Sequence, residues 1–223
     1  MKPQDIRTLD LGIVDYREAC LIQKRYVREV LSEDAVDYLL LLEHKPVITF
    51  GRVTDENNIL DREYFSSLGY DIVRSERGGR ITCHMPGQLV IYPILDLRRI
   101  KKDISYYIDL LEICVVRALE RLGVKAYRIH GKRGVWTDLG KIAFIGVKGK
   151  SWVTCHGVAV NINNDTEPYK RINPCGVKGV RVTSARLMLA RPVDMKRAKH
   201  VFSSVFRDVF TRERKESCHG IET

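Results

Sequence analysis

The chain lacks a long hydrophobic run. Nowhere in its 223 residues does an apolar stretch approach the roughly 20 residues that a helix needs to span a bilayer. The first twelve residues, MKPQDIRTLDLG, also lack the apolar run of a secretory signal peptide. We therefore expect no membrane association and a cytoplasmic location, or an organelle matrix if a leader has been removed.

Paired cysteines are absent as well. No C-x-x-C pair of the kind that builds zinc or redox sites occurs, so we expect reduced thiols and no metal. The six cysteines are Cys20, Cys83, Cys114, Cys155, Cys175 and Cys218. Cys20 and Cys114 fall on apolar faces of predicted helices, where burial as small hydrophobic side chains explains them. Only Cys83, Cys155 and Cys175 stand among glycine, proline and histidine.

The sequence is short of acidic residues relative to basic ones. It has 38 Lys and Arg against 28 Asp and Glu, a formal charge of +10, which attracts acidic partners over long distances. The basic residues are spread along the chain, apart from one short cluster at 98–102, and no nucleic-acid-binding motif accompanies them. We therefore expect no nucleic acid partner, although a basic nucleic-acid-binding module is retained as an alternative.

No repeat, low-complexity tract or linker divides the chain, so residues 1–223 are expected to form a single domain. Periodicity and turn residues predict helices at 16–31, 61–69, 105–122, 183–189 and from 193 onward. The same signals predict strands at 38–42, 47–50, 70–74 and 89–95, followed by a meander at 126–130, 135–137, 141–147, 151–155 and 158–162. This order predicts an α+β fold with mixed or antiparallel sheets flanked by helices.

Polar side chains stand beside glycine in three places: residues 77–88, residues 140–146, and residues 156–161 with 173–176. Glycine lets the backbone approach a ligand closely and can aim N–H groups at an oxygen that gains negative charge. The first segment lies between two predicted strands and has no Walker lysine, which argues against nucleotide binding there.

Cys175 lies between Pro174 and Gly176 in the predicted loop 164–181, a setting that presents the sulfur. A free thiol has a pKa near ~8.5, so a nearby cation is needed to hold the reactive thiolate at neutral pH. Lys141, His84 and His156 are all candidates, and the residue types alone do not choose among them.

Four segments resemble one known family. They are R-G-G-x-x-T-x-H-x-P-G-Q-L-V-x-Y-P at residues 77–93, then G-K-I-A-x-I-G, H-G-x-A-x-N and P-C-G in that order. Together they are similar to the octanoyltransferases of lipoate biosynthesis, and they cover roughly the middle half of the chain. Four ordered segments are far more specific than a single glycine motif.

This resemblance implies the fold of the biotin and lipoate protein ligases. It implies transfer of octanoyl from acyl carrier protein to the ε-amine of a lysine. The acceptors would be lipoyl domains of 2-oxoacid dehydrogenase E2 subunits or the glycine-cleavage H protein. No cofactor, metal or ATP would be needed, and we expect a monomer. The charge of +10 would suit acidic carrier and lipoyl domains.

The resemblance also implies roles for individual residues. A Cys and Lys dyad maps onto Cys175 and Lys141, with a Cys175 thioester as intermediate and Lys141 taking a proton from the acceptor amine. The implied substrate contacts are Arg77, Gly78, Gly79, Arg80, Ile81, Thr82, Cys83, His84, Phe144, Ile145, Gly146, Gly157, Val158 and Ala159. Cys83 and Met85 stand where the family usually has an aromatic residue and glycine, which bears on pocket shape.

Two other enzymatic readings remain. A ligase of the same fold would activate lipoate or biotin with ATP and would not need the thiol. A thiol hydrolase would use Cys175 with His84 or His156 and would release free octanoate.

Overall fold

A computed structural model describes residues 6–32, 36–53, 56–177 and 179–219, with the backbone alone for Cys175, Cys218 and His219. Its strands are β1 (Ile6–Val14), β2 (Asp37–His44), β3 (Val47–Phe50), β4 (Asp71–Arg74), β5 (Thr82–His84), β6 (Gln88–Ile94), β7 (Tyr127–Ile129), β8 (Lys132–Thr137), β9 (Gly140–Lys150) and β10 (Val153–Asn161). Its α-helices are α1 (Tyr16–Leu31), α2 (Arg62–Ser67), α3 (Ile104–Arg121), α4 (Ala185–Leu189) and α5 (Met195–His219).

The helices begin where capping residues satisfy free backbone N–H groups. The Asp15 side chain accepts from the first turn of α1, Asp61 does so for α2, and Asp103 does so for α3. An aspartate at this position typically stabilises a helix by about 1 kcal/mol. The predicted helices at 16–31 and 105–122 are thereby confirmed within a residue or two.

Two sheets form the scaffold. The larger has seven strands in the order β1-β2-β6-β10-β9-β8-β7, and the smaller has the order β4-β3-β5. In the large sheet β1 and β2 pair in parallel, whereas the other neighbours pair antiparallel. With helices packed on these mixed sheets, the α+β prediction is confirmed.

The centre of the large sheet is buried on both faces. In β2, Leu39 and Leu41 pack into the core formed with α3 and α5, whereas Leu40 and Leu42 pack into the core formed with α1. Successive side chains of a strand point to opposite faces, so a strand covered on both sides needs a continuous apolar run. The face on the α1 side also borders the small sheet, and the candidate site lies there.

The predicted meander was wrong in one respect. Residues 151–155 and 158–162 were predicted as separate strands, but β10 runs unbroken from Val153 to Asn161. The hairpin turn is made by Ser151 and Trp152, which both adopt positive φ, as a two-residue turn matching the twist of its strands requires.

The strands predicted at 38–42 and 47–50 are confirmed as β2 and β3, and they lie in different sheets: β2 in the large one and β3 in the small one. Strands β1 and β5 had not been predicted. Within the part of the chain that is described, none of the helices has the length and apolar character needed to traverse a bilayer.

Candidate active site

A cavity of about 740 Å³ opens between the large sheet, the small sheet and the segment after residue 176. Among the residues predicted to bind substrate, those that line it are Arg77, Gly79, Arg80, Ile81, Thr82, His84, Phe144, Ile145, Gly146, Gly157, Val158 and Ala159. Lys141 lines it too. The chain thus folds three separate motif segments around one space, while the role of each residue stays a prediction.

Two of the predicted contact residues face elsewhere. The Cys83 side chain is fully buried in the core beneath the small sheet, because it alternates with Thr82 and His84 along β5. Burial raises the pKa of its thiol. Gly78 donates its N–H to the carbonyl of Val147 at 2.9 Å, which attaches this segment to β9 and does not bring Gly78 to the cavity lining.

Lys141 is the second residue of β9, and its side chain is almost wholly buried at 4% exposure. Its Nζ donates to the carbonyl of Arg133 at 2.9 Å. The same nitrogen lies 4.9 Å from the ring centroid of Phe144 and 5.3 Å from that of Trp136. A charge held between two aromatic faces is stabilised by their electron-rich surfaces, so this setting suits an ammonium group.

A bulge in the sheet helps to aim Lys141. Val135 pairs with Ala143 whereas Trp136 pairs with Lys141, so β9 carries one residue more than β8 at this point. Such bulges bend a strand and redirect its side chains. Gly134 adopts a φ of +102° beside the bulge, and a β-carbon there would lie 2.6 Å from Lys141 Cε. The glycine therefore leaves the space that the lysine side chain occupies.

The backbone of Lys141 also holds the chain that follows Cys175. The N–H of Lys141 donates to Arg181 O at 2.8 Å, and its carbonyl accepts from the N–H of Thr183 at 3.0 Å. On the other side of Cys175, the N–H of Asn173 donates to Asn58 O at 2.9 Å. The segment that contains Cys175 is thus fixed at both ends, one of them at Lys141 itself.

Cys175 is the middle residue of a short 3-10 turn, Pro174–Gly176. Gly176 has a φ of +67°, and a β-carbon on it would lie 2.5 Å from Arg80 Nη1, so the Arg80 side chain packs directly against this turn. The side chain of Cys175 lies outside the described residues. Its predicted pairing with Lys141 therefore remains a prediction.

Arg77 joins the two sheets at the wall of the cavity. Its buried guanidinium donates from Nη2 to Thr49 O at 2.7 Å and to Thr49 Oγ1 at 2.8 Å, and from Nη1 to Gly78 O at 3.1 Å. Its stem passes over Gly146, where a β-carbon would lie 3.1 Å from Arg77 Cδ. The arrangement places a fixed positive charge beside the cavity.

The two candidate histidines are held neutral. Burial, together with the charges of His44 and Arg77, lowers the pKa of His84 well below its ordinary value. Burial, helped by Arg77 and Lys148, lowers the pKa of His156 to about 4. A neutral imidazole supplies no positive charge to a thiolate, and a low pKa makes it a weak base. Of the three candidate partners for Cys175, the histidines are therefore disfavoured.

A buried hydrogen-bond network fixes His84 in one tautomer. Its Nδ1 donates to Gln88 Oε1 at 2.7 Å, while the amide nitrogen of Gln88 donates to Asn161 Oδ1 and to the Tyr169 hydroxyl. The hydroxyl of Tyr169 in turn donates to Cys83 O at 2.9 Å. This network ties β5, β6 and β10 together behind the cavity.

Sequence reasoning missed several residues of the cavity wall. Tyr92, Trp136 and Arg133 line it, and so does His156, which was a candidate partner for Cys175 but was not predicted to contact substrate. Trp136 lies on β8, which pairs with the strand that carries Lys141, but nothing in a single sequence marks the bulge that brings the indole over Lys141. Glycine N–H groups were expected to face a substrate oxygen that gains negative charge. Those of Gly78 and Gly176 instead donate to backbone carbonyls of the chain.

In the described part of the chain, no group of three or more His, Cys, Asp or Glu side chains is arranged to hold a metal ion. Cys20, Cys83, Cys114 and Cys155 are free thiols.

The amino-acid sequence is similar to one family of proteins over most of its length. The family model of the lipoyl protein ligase A/B catalytic domain matches residues 15–207. An octanoyltransferase of Pelobacter propionicus is 43% identical over 190 residues, which are 85% of this chain and 88% of that protein. One from Geotalea uraniireducens is 44% identical over 187 residues, covering 84% and 85% of the two chains.

Solved structures share the fold. Lipoate-protein ligase A bound with ATP superimposes with a TM-score of 0.77 at 15% identity, covering 93% of this chain and 86% of that one. The biotin protein ligase of Aquifex aeolicus gives 0.56 at 11% identity, covering 94% and 71%. At such low identity these likenesses concern the fold alone.

Proposed function

The chain belongs to the octanoyltransferase family, within the lipoyl protein ligase A/B catalytic domains, and on that premise we propose how it acts. It takes an octanoyl group from octanoyl-acyl carrier protein, holds it as a thioester on Cys175, and transfers it to a lysine ε-amine. The acceptors are lipoyl domains of 2-oxoacid dehydrogenase E2 subunits and the glycine-cleavage H protein.

One observation carries the proposal beyond family membership. The backbone of Lys141 bonds to Arg181 and Thr183, so the lysine is attached to the segment that carries Cys175, while its Nζ lies at the wall of the cavity. A dyad needs its two groups held by a common support. This attachment supplies such a support for Lys141 and the turn at Cys175.

The cavity suits an acyl chain. Val90, Phe144 and Ala159 line it with buried apolar side chains, whereas Ile145 and Val158, which also border it, pack into the core formed with α3 and α5. An octanoyl chain has about seven apolar carbons, and at ~0.8 kcal/mol each their burial would contribute roughly 6 kcal/mol. That is enough to select a medium-length chain over a short one.

In the first half-reaction the Cys175 thiolate attacks the thioester carbonyl of the donor. A carbon–sulfur bond to Cys175 forms, the bond to the carrier's sulfur breaks, and the Lys141 ammonium gives its proton to the leaving thiolate. The products are the acylated enzyme, a neutral Lys141 and the carrier thiol.

In the second half-reaction the acceptor lysine attacks the Cys175 thioester as a neutral amine. An amide bond forms, Lys141 takes the proton that the new amide nitrogen loses, and Cys175 leaves as thiolate. The dyad returns to its starting charges. Two successive transfers through one covalent intermediate predict ping-pong kinetics.

The positive charge of the chain serves both encounters. A net charge of +10 attracts acidic donor and acceptor domains and raises their association rates at low salt. Rising ionic strength screens this attraction, so the apparent second-order rate constant should fall as salt is added.

The proposal is tested by intact-mass analysis after incubation with octanoyl-acyl carrier protein in the absence of ATP. We expect a gain of one octanoyl group, located at Cys175 by peptide mapping and lost when a lipoyl domain is added. Cys175→Ser should abolish the label, whereas Cys155→Ser, which removes a partly exposed thiol elsewhere in the chain, should retain it. An unlabelled wild-type enzyme, or full turnover by Cys175→Ser, would overturn the proposal.

The same experiment addresses the rival readings. An ATP-dependent lipoate or biotin ligase would leave Cys175 unlabelled and would modify the acceptor only with free acid and ATP. A thiol hydrolase would release octanoate without an acceptor, but the lowered pKa values of His84 and His156 leave it without a strong imidazole base.

A further inference from the structure

Glu112 is a buried carboxylate for which the proposed reaction has no role so far. It projects from α3, on the side of the large sheet away from the cavity, and is 3% exposed. Burying a carboxylate is costly unless charged and polar partners compensate. Arg128 is one partner, with its Nε 2.8 Å from Glu112 Oε2.

The other partner connects Glu112 to the cavity. Glu112 Oε1 accepts the N–H of Gly134 at 2.8 Å. The carbonyl joined to that nitrogen is Arg133 O, which accepts from Lys141 Nζ at 2.9 Å. These two hydrogen bonds use opposite ends of one peptide group, so a continuous path runs from Glu112 through the sheet to the amine of Lys141.

We propose that Glu112 is a positioning residue for Lys141. This role rests on the proposed function. By fixing the N–H of the 133–134 peptide, Glu112 fixes the direction in which its carbonyl points, and with it the place of Nζ. A negative charge at the N–H end also makes the carbonyl oxygen a stronger acceptor, since bonds in a chain polarise one another. Glu112 thereby holds the amine of Lys141 at the wall of the cavity, where the first half-reaction uses it.

The surrounding residues explain why the peptide depends on Glu112. The bulge between β8 and β9 interrupts the regular pairing next to Gly134, and Gly134 itself has a positive φ of +102°. A peptide in this setting is not held by an even ladder, so a side chain must fix it. Arg128 and Arg133 approach Glu112 from its second oxygen, at 2.8 and 3.8 Å, and hold the carboxylate in turn.

The test compares Glu112→Gln and Glu112→Ala with Asp109→Asn. Asp109 stands one turn earlier on α3 and pairs with the same two arginines, Arg128 and Arg133, but it is partly exposed and does not contact the peptide. We expect acylation of Cys175 in a single turnover to slow at least tenfold in Glu112→Ala. Glu112→Gln should slow less, because its amide oxygen can still accept the Gly134 N–H, and Asp109→Asn should stay near wild type.

A second readout does not require acyl transfer. Competitive acetylation at a single pH, followed by peptide mass spectrometry, reports how accessible the amine of Lys141 is relative to the other lysines. Because the amine is held at Arg133 O in the wild type, we expect its relative labelling to rise several-fold in Glu112→Ala and less in Glu112→Gln, with Asp109→Asn unchanged. Equal relative labelling in folded Glu112→Ala and wild type would overturn the proposal. If wild type is not octanoylated at all, the proposed function fails while this labelling still decides the role of Glu112.

Discussion

A β-carbon on Gly134 would lie 2.6 Å from Cε of Lys141 and 3.0 Å from its Nζ. Gly134 and Lys141 belong to neighbouring strands, and the lysine side chain passes through the space that the glycine leaves open. The position of the amine at the cavity therefore depends on a residue that carries no chemistry of its own.

Gly134→Ala should displace Lys141 and lower the rate of acyl transfer by tenfold or more. The added methyl also stands 2.5 Å from the carbonyl oxygen of Ala143, so the backbone must shift. Backbone strain at positive φ adds a destabilisation of about 1–2 kcal/mol. Steady-state transfer and the thermal midpoint are to be measured on the same preparations.

Gly131→Ala is the matched control for Gly134→Ala. Gly131 has a φ of +74°, but a β-carbon there meets nothing within 4 Å. Gly131→Ala should therefore be destabilised by backbone strain but should keep the wild-type rate of acyl transfer. Equal activities in the two folded variants would argue against a role for Gly134 in placing Lys141.

Gly176→Ala tests the turn that carries Cys175. A methyl group at Gly176 would lie 2.5 Å from Arg80 Nη1 and 2.6 Å from Arg80 Cδ, so Arg80 must leave the turn. We expect kcat/KM to fall several-fold, and we expect Arg80→Ala to mimic this loss. The double variant should then lose little more than either single one, because residues in contact do not act additively.

Gly179→Ala provides the comparison for Gly176→Ala. Gly179 lies in the same segment with a φ of +72° and has no atom within 4 Å of a β-carbon. Fully additive losses in the Arg80 and Gly176 double variant, or an equal loss in Gly179→Ala, would show that the Arg80 contact is unimportant.

The sequence predicted the elements whose pattern is local. The apolar run at 38–42 marks a buried strand, and Asp61 marks a helix start, because an apolar run and a capping side chain act over a few residues. Most of the residues predicted from the motif segments to contact substrate line the cavity, as does Lys141.

What escaped prediction depends on contacts between distant segments. The bulge at Lys141 arises from the register of β8 against β9, which no single strand encodes. The hairpin turn uses Ser151 and Trp152 at positive φ, residues that ordinarily avoid that conformation. Cys83 was placed at the substrate by motif position, although strand alternation turns it into the core. The link from Glu112 to Lys141 spans two elements and was invisible to motif reasoning.

Stability should fall in acid, in part because of His156. Its folded-state pKa of about 4 lies below the ordinary value of 6.5, so the unfolded chain binds its proton first as pH drops. Above about pH 7 this group does not lower the free energy of unfolding. As the pH falls from 6.5 to 4, it lowers that free energy by roughly 2–3 kcal/mol. Urea unfolding at pH 7 and pH 4.5 measures the loss.

His156→Asn should reduce that difference between pH 7 and pH 4.5, since asparagine does not titrate and tolerates the positive φ of +57° at this position. His44, whose pKa burial also lowers to about 4, would still contribute. His130→Gln, which removes an exposed imidazole, serves as the control. An unchanged acid loss in His156→Asn would contradict the assignment.

The apolar wall of the cavity predicts how chain-length preference can be altered. Ala159 on β10 is 4% exposed, lies between Val90 and Phe144 in the sheet and lines the cavity. Ala159→Val adds two carbons to this wall, and overpacking of this kind typically costs 1–3 kcal/mol. The penalty should fall on longer acyl chains, because these fill the space that the new carbons take.

We therefore expect Ala159→Val to raise the rate of hexanoyl relative to octanoyl transfer about tenfold, a ratio that corresponds to ~1.4 kcal/mol. Donors of both lengths compete in one reaction, and the acylated acceptors are quantified by mass. Ala143→Val provides the control, because Ala143 is equally buried but faces the core beneath α3 and α5. Ala143→Val should lower stability without changing the ratio of hexanoyl to octanoyl transfer, which would show that a general packing defect does not alter chain-length preference. An unchanged ratio in Ala159→Val would mean that the acyl chain lies elsewhere.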